Sequence, residues 1–562
     1  MNIQNKFSRI FFLISLPVIF SINSCCKKDF GIISKIERSI TDDIDLFLIP
    51  EKYNILESGW LAHRTKSTFN KKDLIRFLSE HGRYLADLQS NPELEYAEKD
   101  GIVTLKVGKT SHSTDYSYDK EIPIVFYGDK WFKKGIYQDK ISQQKIVPTL
   151  AKIMDVPQPN GVIEPALSQT LKDTKELPEI IVTVVIDQGG QQLYSAHPNA
   201  SPNIRALKEK SAYFPNAEVG HLDAHTAVGH AAIGTGAYPK ENGVIGNTFF
   251  TLENEQLRKS EIYSHDEKNV KISELKTETL ADVADLHFKN RLEVISQAYA
   301  LRASIGMGGH GYGKLSGSDK DYIYWLDAHD CKWKTDERYY LVPDFAKDFS
   351  PCENFIRNYP NGWKEIHNFK PEDSGKVWGY LMATPKEAEL EGELFRRMIE
   401  EKIIRKGKAN DKLPDLAYMT IKATDAAGHY FGWESLEAEG TFTEADKQVG
   451  LIFEFLKQNF GDKFVMVLTA DHGCAPLPEI SGGERLLIED FYKEVNSLLA
   501  SKNASGDSLI RKMTVGQISL DRGVMRKYGI QENEIISKIM NIQKNGKNFF
   551  KRVIRKNEIL RS

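Results

Sequence analysis

Acidic and basic side chains nearly cancel: 78 Asp and Glu stand against 75 Lys and Arg, a formal net charge of −3. No basic tract is present, so the electrostatic footprint that nucleic acid binding requires is missing. Cysteine is scarce, five residues in 562, which rules out a fold held together by a disulfide framework. Two of the five, Cys25 and Cys26, lie near the start. Cys331 and Cys352 can either pair in an oxidising compartment or stand as two separate buried thiols. The apolar run at residues 10–22 is too short and wrongly flanked for a good membrane-spanning helix. Lys6 and Arg9 precede it and Ser24 follows it. A charged start, a short apolar core and a small residue before the cut describe an export leader over residues 1–24.

What is present is bulk and pattern. Hydrophobic residues make up 41% of the chain, enough for a sizeable core in several domains or in one large α/β domain with insertions. Residues 25–98 are charged, with a helical pattern such as Lys72–Leu78, and carry no evident chemistry. Residues 101–107 alternate like a strand, a loop with His112 follows, and residues 121–128 read as another strand. A helix starts near Val147-Pro148, and the Pro-rich, polar residues 157–179 read as a linker. Residues 180–186 are apolar almost without a break and β-branched, as in a central parallel strand covered on both faces. Residues 417–423 and 464–468 read similarly, and 385–402 and 444–458 fit crossover helices. Residues 250–380, rich in aromatics, read as an insertion or cap.

Each of the three core strands is followed by acid: Asp187, Asp425 with His429, and Asp471-His472. In open α/β sheets that edge is where ligands bind. Three carboxylates converging there would repel each other, and each would cost several kcal/mol if buried unpaired. Divalent cations remove that problem, and an Asp/His set suits zinc. The stretch His221 to Gly236 adds a hydroxyl, Thr226, ahead of a small-residue run that can start a helix. The free N–H groups of a helix start face anions readily. A threonine there can attack phosphorus once something activates its hydroxyl. Singly, each piece has an ordinary explanation: a helix cap, a turn, an N-cap. Together, each at the end of an element, they point to one site.

The set resembles the alkaline phosphatase superfamily, and within it the type I phosphodiesterase/nucleotide pyrophosphatase group with its threonine-nucleophile alkaline phosphatases. The matching pieces are Val184-Val185-Ile186-Asp187-Gln188, Thr226 to His230 with Thr235-Gly236, Gly243 to Asn247, Thr424-Asp425 to His429 and Gly432, and Leu468 to Gly473. The resemblance implies a three-layer α/β/α core around a mostly parallel sheet with a cap. It also implies two zinc ions and a phosphorylated small-molecule substrate. Asp187, Thr226, Asp471 and His472 would hold the first zinc, and Asp425 and His429 the second. That ion needs one more histidine, and none follows His472. The stretch Thr110 to Asp119 with Ile122 to Gly128 resembles the family's last motif, which nominates His112. Ser113 stands where the family usually has glycine. The family's C-terminal section would then precede its first strand, a circular permutation. The expected division is residues 99–179 as the permuted section with its linker and 180–562 as the main core, with the cap at about 250–380.

Asn247 resembles the asparagine that bonds a phosphate oxygen. Arg302 matches one member of a Lys-x-Arg pair that grips a terminal phosphate, while Ala300 stands at the lysine position. That departure leaves a phosphodiesterase preference open beside the monoesterase one. His221, His225, His230 and His310 are expected to be structural. Residues 22–25 resemble a bacterial lipoprotein cleavage box, so the expected location is a periplasmic or cell-surface membrane, anchored through a lipid on Cys25. A sulfatase would need a Cys/Ser-x-Pro-x-Arg motif, and Cys474 to Pro478 lacks the arginine. The threonine and the export leader count against a phosphate-transferring mutase. The intact ligand set counts against a lipid-anchored binding protein without catalysis.

Overall fold

The seven residues Ile180–Ile186 are all buried. Ile180, Val182, Val184 and Ile186 enter one apolar cluster, and Ile181 and Val185 enter another on the opposite face. Burying each such side chain contributes roughly 1.5–3 kcal/mol, so a strand of this composition is stable only with both faces covered. The coverings are helices. Pro385–Ile399 and Leu436–Phe460 contribute Leu394, Phe395, Val449 and Ile452 on one side. Ile146–Met154 and Leu280–His287 contribute Leu150, Ala281 and Ala284 on the other. The expected three-layer α/β/α core is therefore present. This computed structural model describes residues 44–559 apart from 58, 254–255, 267–268, 312–319, 328–329, 359–378, 380, 408–410, 503, 505 and 515. Residues 1–24, expected to be a leader, and Cys25, expected to carry a lipid, lie outside the described residues. Among those residues, no helix is long and apolar enough to cross a membrane.

Among the described residues the central sheet has ten strands: β1 (Glu121–Tyr127), β2 (Gly135–Ile136), β3 (Ile141–Ser142), β4 (Ile180–Ile186), β5 (Ala212–Glu218), β6 (Val294–Ala298), β7 (Tyr322–Asp327), β8 (Lys332–Lys334), β9 (Asp415–Ile421) and β10 (Phe464–Thr469). The order is β8-β7-β6-β9-β4-β10-β1-β5-β2, with β3 also on β5. Strands β7, β6, β9, β4 and β10 run parallel, whereas β1 runs antiparallel to both β10 and β5. That reversal matters. Val125 pairs with Leu468 and Tyr127 with Met466, so β1 begins at the edge where the parallel strands end. The loop entering β1 thus reaches the ligand edge of the sheet.

Two expectations need correction. Residues 250–380 are not all a cap: β6, β7 and β8 lie in the central sheet, and the β-hairpin sheet between Thr248 and Val270 stands apart from it. Strand β6 carries buried Ser296 and Gln297, which break the apolar run that marks the other core strands. Residues 25–98 are also not simply helical. Besides the helices Lys71–Glu80 and Leu85–Gln89, Arg64–Asn70 and Tyr96–Lys99 flank Ile102–Gly108 in a separate antiparallel sheet. The strand Leu46–Pro50 lies between Gln517–Leu520 and Phe550–Arg555 in a second lobe with its own apolar core around Phe491, Ile535 and Phe549. Cys331 and Cys352 form a disulfide, with a Cα–Cα distance of 5.9 Å.

Candidate active site

The carboxyl edge of the parallel strands carries the acidic residues. Asp187 follows β4, and Asp471-His472 follow β10. Asp425 sits in the first turn of helix α3 (Ala423–Phe431) after β9, and His429 one turn later on the same face. His112 arrives on the loop before β1. Two groups result: Asp187, Asp471 and His472, and His112, Asp425 and His429, each with ligand atoms within 4.8 Å of one another. His429 Nε2 is 3.3 Å, and His112 Nε2 3.9 Å, from Asp425 Oδ1. His472 Nε2 is 3.2 Å from Asp471 Oδ2 and 3.7 Å from Asp187 Oδ1.

The histidines are set to present a lone pair. His112 Nδ1 lies 2.6 Å from the carbonyl oxygen of Ala224, His429 Nδ1 2.7 Å from that of Thr110, and His472 Nδ1 2.9 Å from that of Gly473. A carbonyl only accepts, so Nδ1 carries the hydrogen and Nε2 is left bare in the neutral ring. Burial and the neighbouring imidazoles hold His112 well below the usual histidine range, and burial does the same for His472. Burial, with Asp187 and Asp425 nearby, pushes Asp471 well up, and burial together with Asp425 pushes Asp187 up to about 6. Asp187 Oδ1, Asp471 Oδ2 and His472 Nε2 are buried with no hydrogen-bond partner. Buried polar atoms are rarely left so, and a divalent cation would satisfy all three, so this donor set fits a metal.

Helix α1 (Thr226–Thr235) brings the hydroxyl. Thr226 is its first residue and His225 its N-cap. A Cβ on Gly229 would come within 2.5 Å of the Asp471 carbonyl oxygen, so only glycine lets α1 lie this close to the loop after β10. Asn247 Oδ1 accepts from the Ala227 N–H at 2.8 Å, which leaves its amide N–H groups for a ligand. One pocket is lined by Thr226, Asn247, Arg302, His112, Asp425 and His429. Arg302 belongs to helix α2 (Leu301–Gly308), and its Nε has no hydrogen-bond partner. Ala300, the N-cap of α2, is buried, whereas Tyr299 and Arg302 line the pocket. Ser113 has φ of 99°, a conformation glycine adopts freely and serine at a cost of about 1–3 kcal/mol.

Three residues here carry roles that the sequence reading does not assign. Lys422, next after β9, lines the pocket and bonds Asp187 and Asp425. Burial works against its charge, but the two carboxylates outweigh that and raise its pKa. Gln188 donates its backbone N–H to Asp471 Oδ1 (3.1 Å) and its side chain to Asp425 Oδ1 (3.0 Å). His225, expected to be structural, lines the pocket, with Nδ1 2.5 Å from Asp223 Oδ1 and Nε2 2.8 Å from Ser113 Oγ. The other histidines behave as fold elements where bonds are seen. His230 links the Thr226 carbonyl to Thr420 Oγ1, and His310 links Asp282 to the Leu275 carbonyl. A pair of polar positions around a buried lysine leaves no periodicity or spacing in sequence, so no signal of that kind marks Lys422.

Residues 181–560 match the family model described as type I phosphodiesterase / nucleotide pyrophosphatase. The chain is 25% identical over 421 residues to a Calcium-transporting ATPase of Myroides odoratus, covering 66% of this chain and 74% of that protein. It is 23% identical over 408 residues to alkaline phosphatase PafA of Elizabethkingia meningoseptica, covering 65% and 72%. A crystal structure of wild-type alkaline phosphatase PafA superposes with a TM-score of 0.52 at 20% identity, covering 66% of this chain and 77% of that one. At that identity the superposition speaks for the fold.

Proposed function

The chain belongs to the type I phosphodiesterase / nucleotide pyrophosphatase family, and from that premise we propose that it cleaves phosphate esters through a phospho-threonine on Thr226, at a site that holds two zinc ions. That it is a phosphoric ester hydrolase follows from the family. The observation that carries the finer reading is the pair of ligand groups beside the first turn of α1. Asp187, Asp471 and His472 with Thr226 would hold one ion, and His112, Asp425 and His429 the other. Bound there, two divalent cations would lower the pKa of the nucleophile and neutralise charge on the attacking and leaving oxygens. The chain's own groups do the rest. Thr226 Oγ1 attacks phosphorus in line, the ester oxygen leaves, and water cleaves the phospho-threonine. The Asn247 amide and the Arg302 guanidinium face the pocket as donors to phosphoryl oxygens.

His112 lies ahead of the family match, and the antiparallel run of β1 brings its loop to the site. Both support the reading of residues 99–179 as the family's closing section moved to the front. The leader and the lipid on Cys25, read from sequence alone, would place this activity outside the cytoplasm on a membrane surface.

The deciding experiment measures hydrolysis of an aryl phosphate monoester, an aryl diester and an aryl sulfate side by side, before and after chelator treatment and zinc readdition. Phosphate ester turnover that chelation abolishes and zinc restores is expected. Sulfate turnover alone would point to a sulfatase, and no turnover to a binding protein. Within the same assays, Arg302→Ala is expected to lower monoester turnover by about tenfold, the worth of one charged hydrogen bond, and diester turnover by less. Equal losses on both substrates would remove Arg302 from the grip on the terminal phosphate charge.

A further inference from the structure

Each carboxylate at the site has two oxygens, and they face different neighbours. Asp187 Oδ1 turns to His472 and has no hydrogen-bond partner, whereas Asp187 Oδ2 lies 3.1 Å from Lys422 Nζ. Asp425 Oδ1 turns to His429 and His112, whereas Asp425 Oδ2 contacts the same Lys422 Nζ. One buried ammonium thus holds the outer oxygen of one carboxylate from each ligand group. Its backbone is anchored as well: the Lys422 N–H donates to Glu391 Oε2 at 3.0 Å.

We propose that Lys422 is a positioning residue that ties the two ligand groups together, so that Asp187 and Asp425 each present a single oxygen to the metal side. This rests on the two-metal reading above. An ammonium offers three donors. Two are spent on the outer oxygens, which prevents either carboxylate from swinging round to chelate with both. The spacing of the two inner oxygens is then set by one rigid cation before any metal arrives. The same charge has a second consequence. In the metal-free protein three carboxylates, Asp187, Asp425 and Asp471, are buried together, and Lys422 offsets part of that repulsion. Once metals bind, they supply the positive charge and the dependence on Lys422 falls.

The test compares Lys422→Met with the parent, each metal-free and zinc-loaded, by thermal melting, by zinc content per chain and by steady-state kinetics. The metal-free variant should melt well below the metal-free parent while the loaded forms melt close together, so the rise in Tm on adding zinc is larger in the variant. At saturating zinc, kcat should fall at least about tenfold, as for other groups that orient metal ligands, with KM changed far less. An unchanged metal-linked rise with kcat within about twofold of the parent overturns the proposal. A rise in KM alone overturns it too, because Lys422 would then be contacting substrate. If Lys422→Met does not fold even with zinc, Lys422→Gln, which keeps donors but no charge, decides by the same two criteria. A parent protein that binds no zinc overturns the two-metal reading and this proposal together.

Discussion

Thr226→Ala is expected to lower turnover of an aryl phosphate by at least about 100-fold while the protein stays folded. The size follows from removing the attacking oxygen, which no neighbour replaces by position. Survival of the fold follows from how helix α1 begins. Its N-cap is His225, and the Ala227 N–H is met by Asn247 Oδ1 at 2.8 Å. The Thr226 hydroxyl is therefore not the group that caps the helix, and alanine is a good first-turn residue. A melt within a few degrees of the parent, combined with the loss of kcat, is the expected pair of results. Turnover near normal would remove Thr226 as the nucleophile.

His112→Ala is expected to lose about one of two bound zinc ions and most of the activity. An open catalytic zinc site needs about three protein ligands, and His112 is the third in a group otherwise made of Asp425 and His429. Its ring is fixed by the Ala224 carbonyl and stacks on His472 with centroids 3.8 Å apart, so its loss leaves a gap between the two groups. The group of Asp187, Asp471 and His472 keeps all its side chains, which is why one ion should stay. Zinc per chain after gel filtration, measured beside kcat, checks both halves. Two tightly held ions with full turnover would end the role of His112 and the permuted reading of its loop.

The parts of this molecule that are readable in sequence are those whose physics is local. Ile180–Ile186 announces a doubly covered strand by composition alone, and Asp187, Asp425 and Asp471 stand out because they follow such strands. The proximity of His112 follows from the resemblance, and the structure supplies the reason for it: β1 runs against its neighbours. What is hidden depends on distant partners. Strand β6 holds polar Ser296 and Gln297, whose side chains are satisfied by the Ser304 and Glu391 carbonyls. Lys422 takes its meaning from Asp187, more than 200 residues away in sequence. His225 reads as structural because a histidine at a helix start has many ordinary uses; only the pocket shows where it faces.

The strand Leu46–Pro50 has a consequence for how the chain reaches its final form. Its two neighbours, Gln517–Leu520 and Phe550–Arg555, lie more than 450 residues downstream. A nascent polypeptide emerging from the ribosome must keep this strand unpaired until the residues between it and these neighbours have been made, and then close a very long loop. Such closure is slow, and it leaves a hydrophobic edge of Leu46, Phe47, Leu48 and Ile49 seeking a partner in the meantime. Gln517 on one of those neighbours bonds Asp223 Oδ2 at 2.9 Å, at the rim of the pocket. Completion of the pocket is thereby postponed until this long-range pairing forms, so a chain made only as far as Gly473 carries every side chain proposed as a ligand but lacks the Gln517 wall of the pocket.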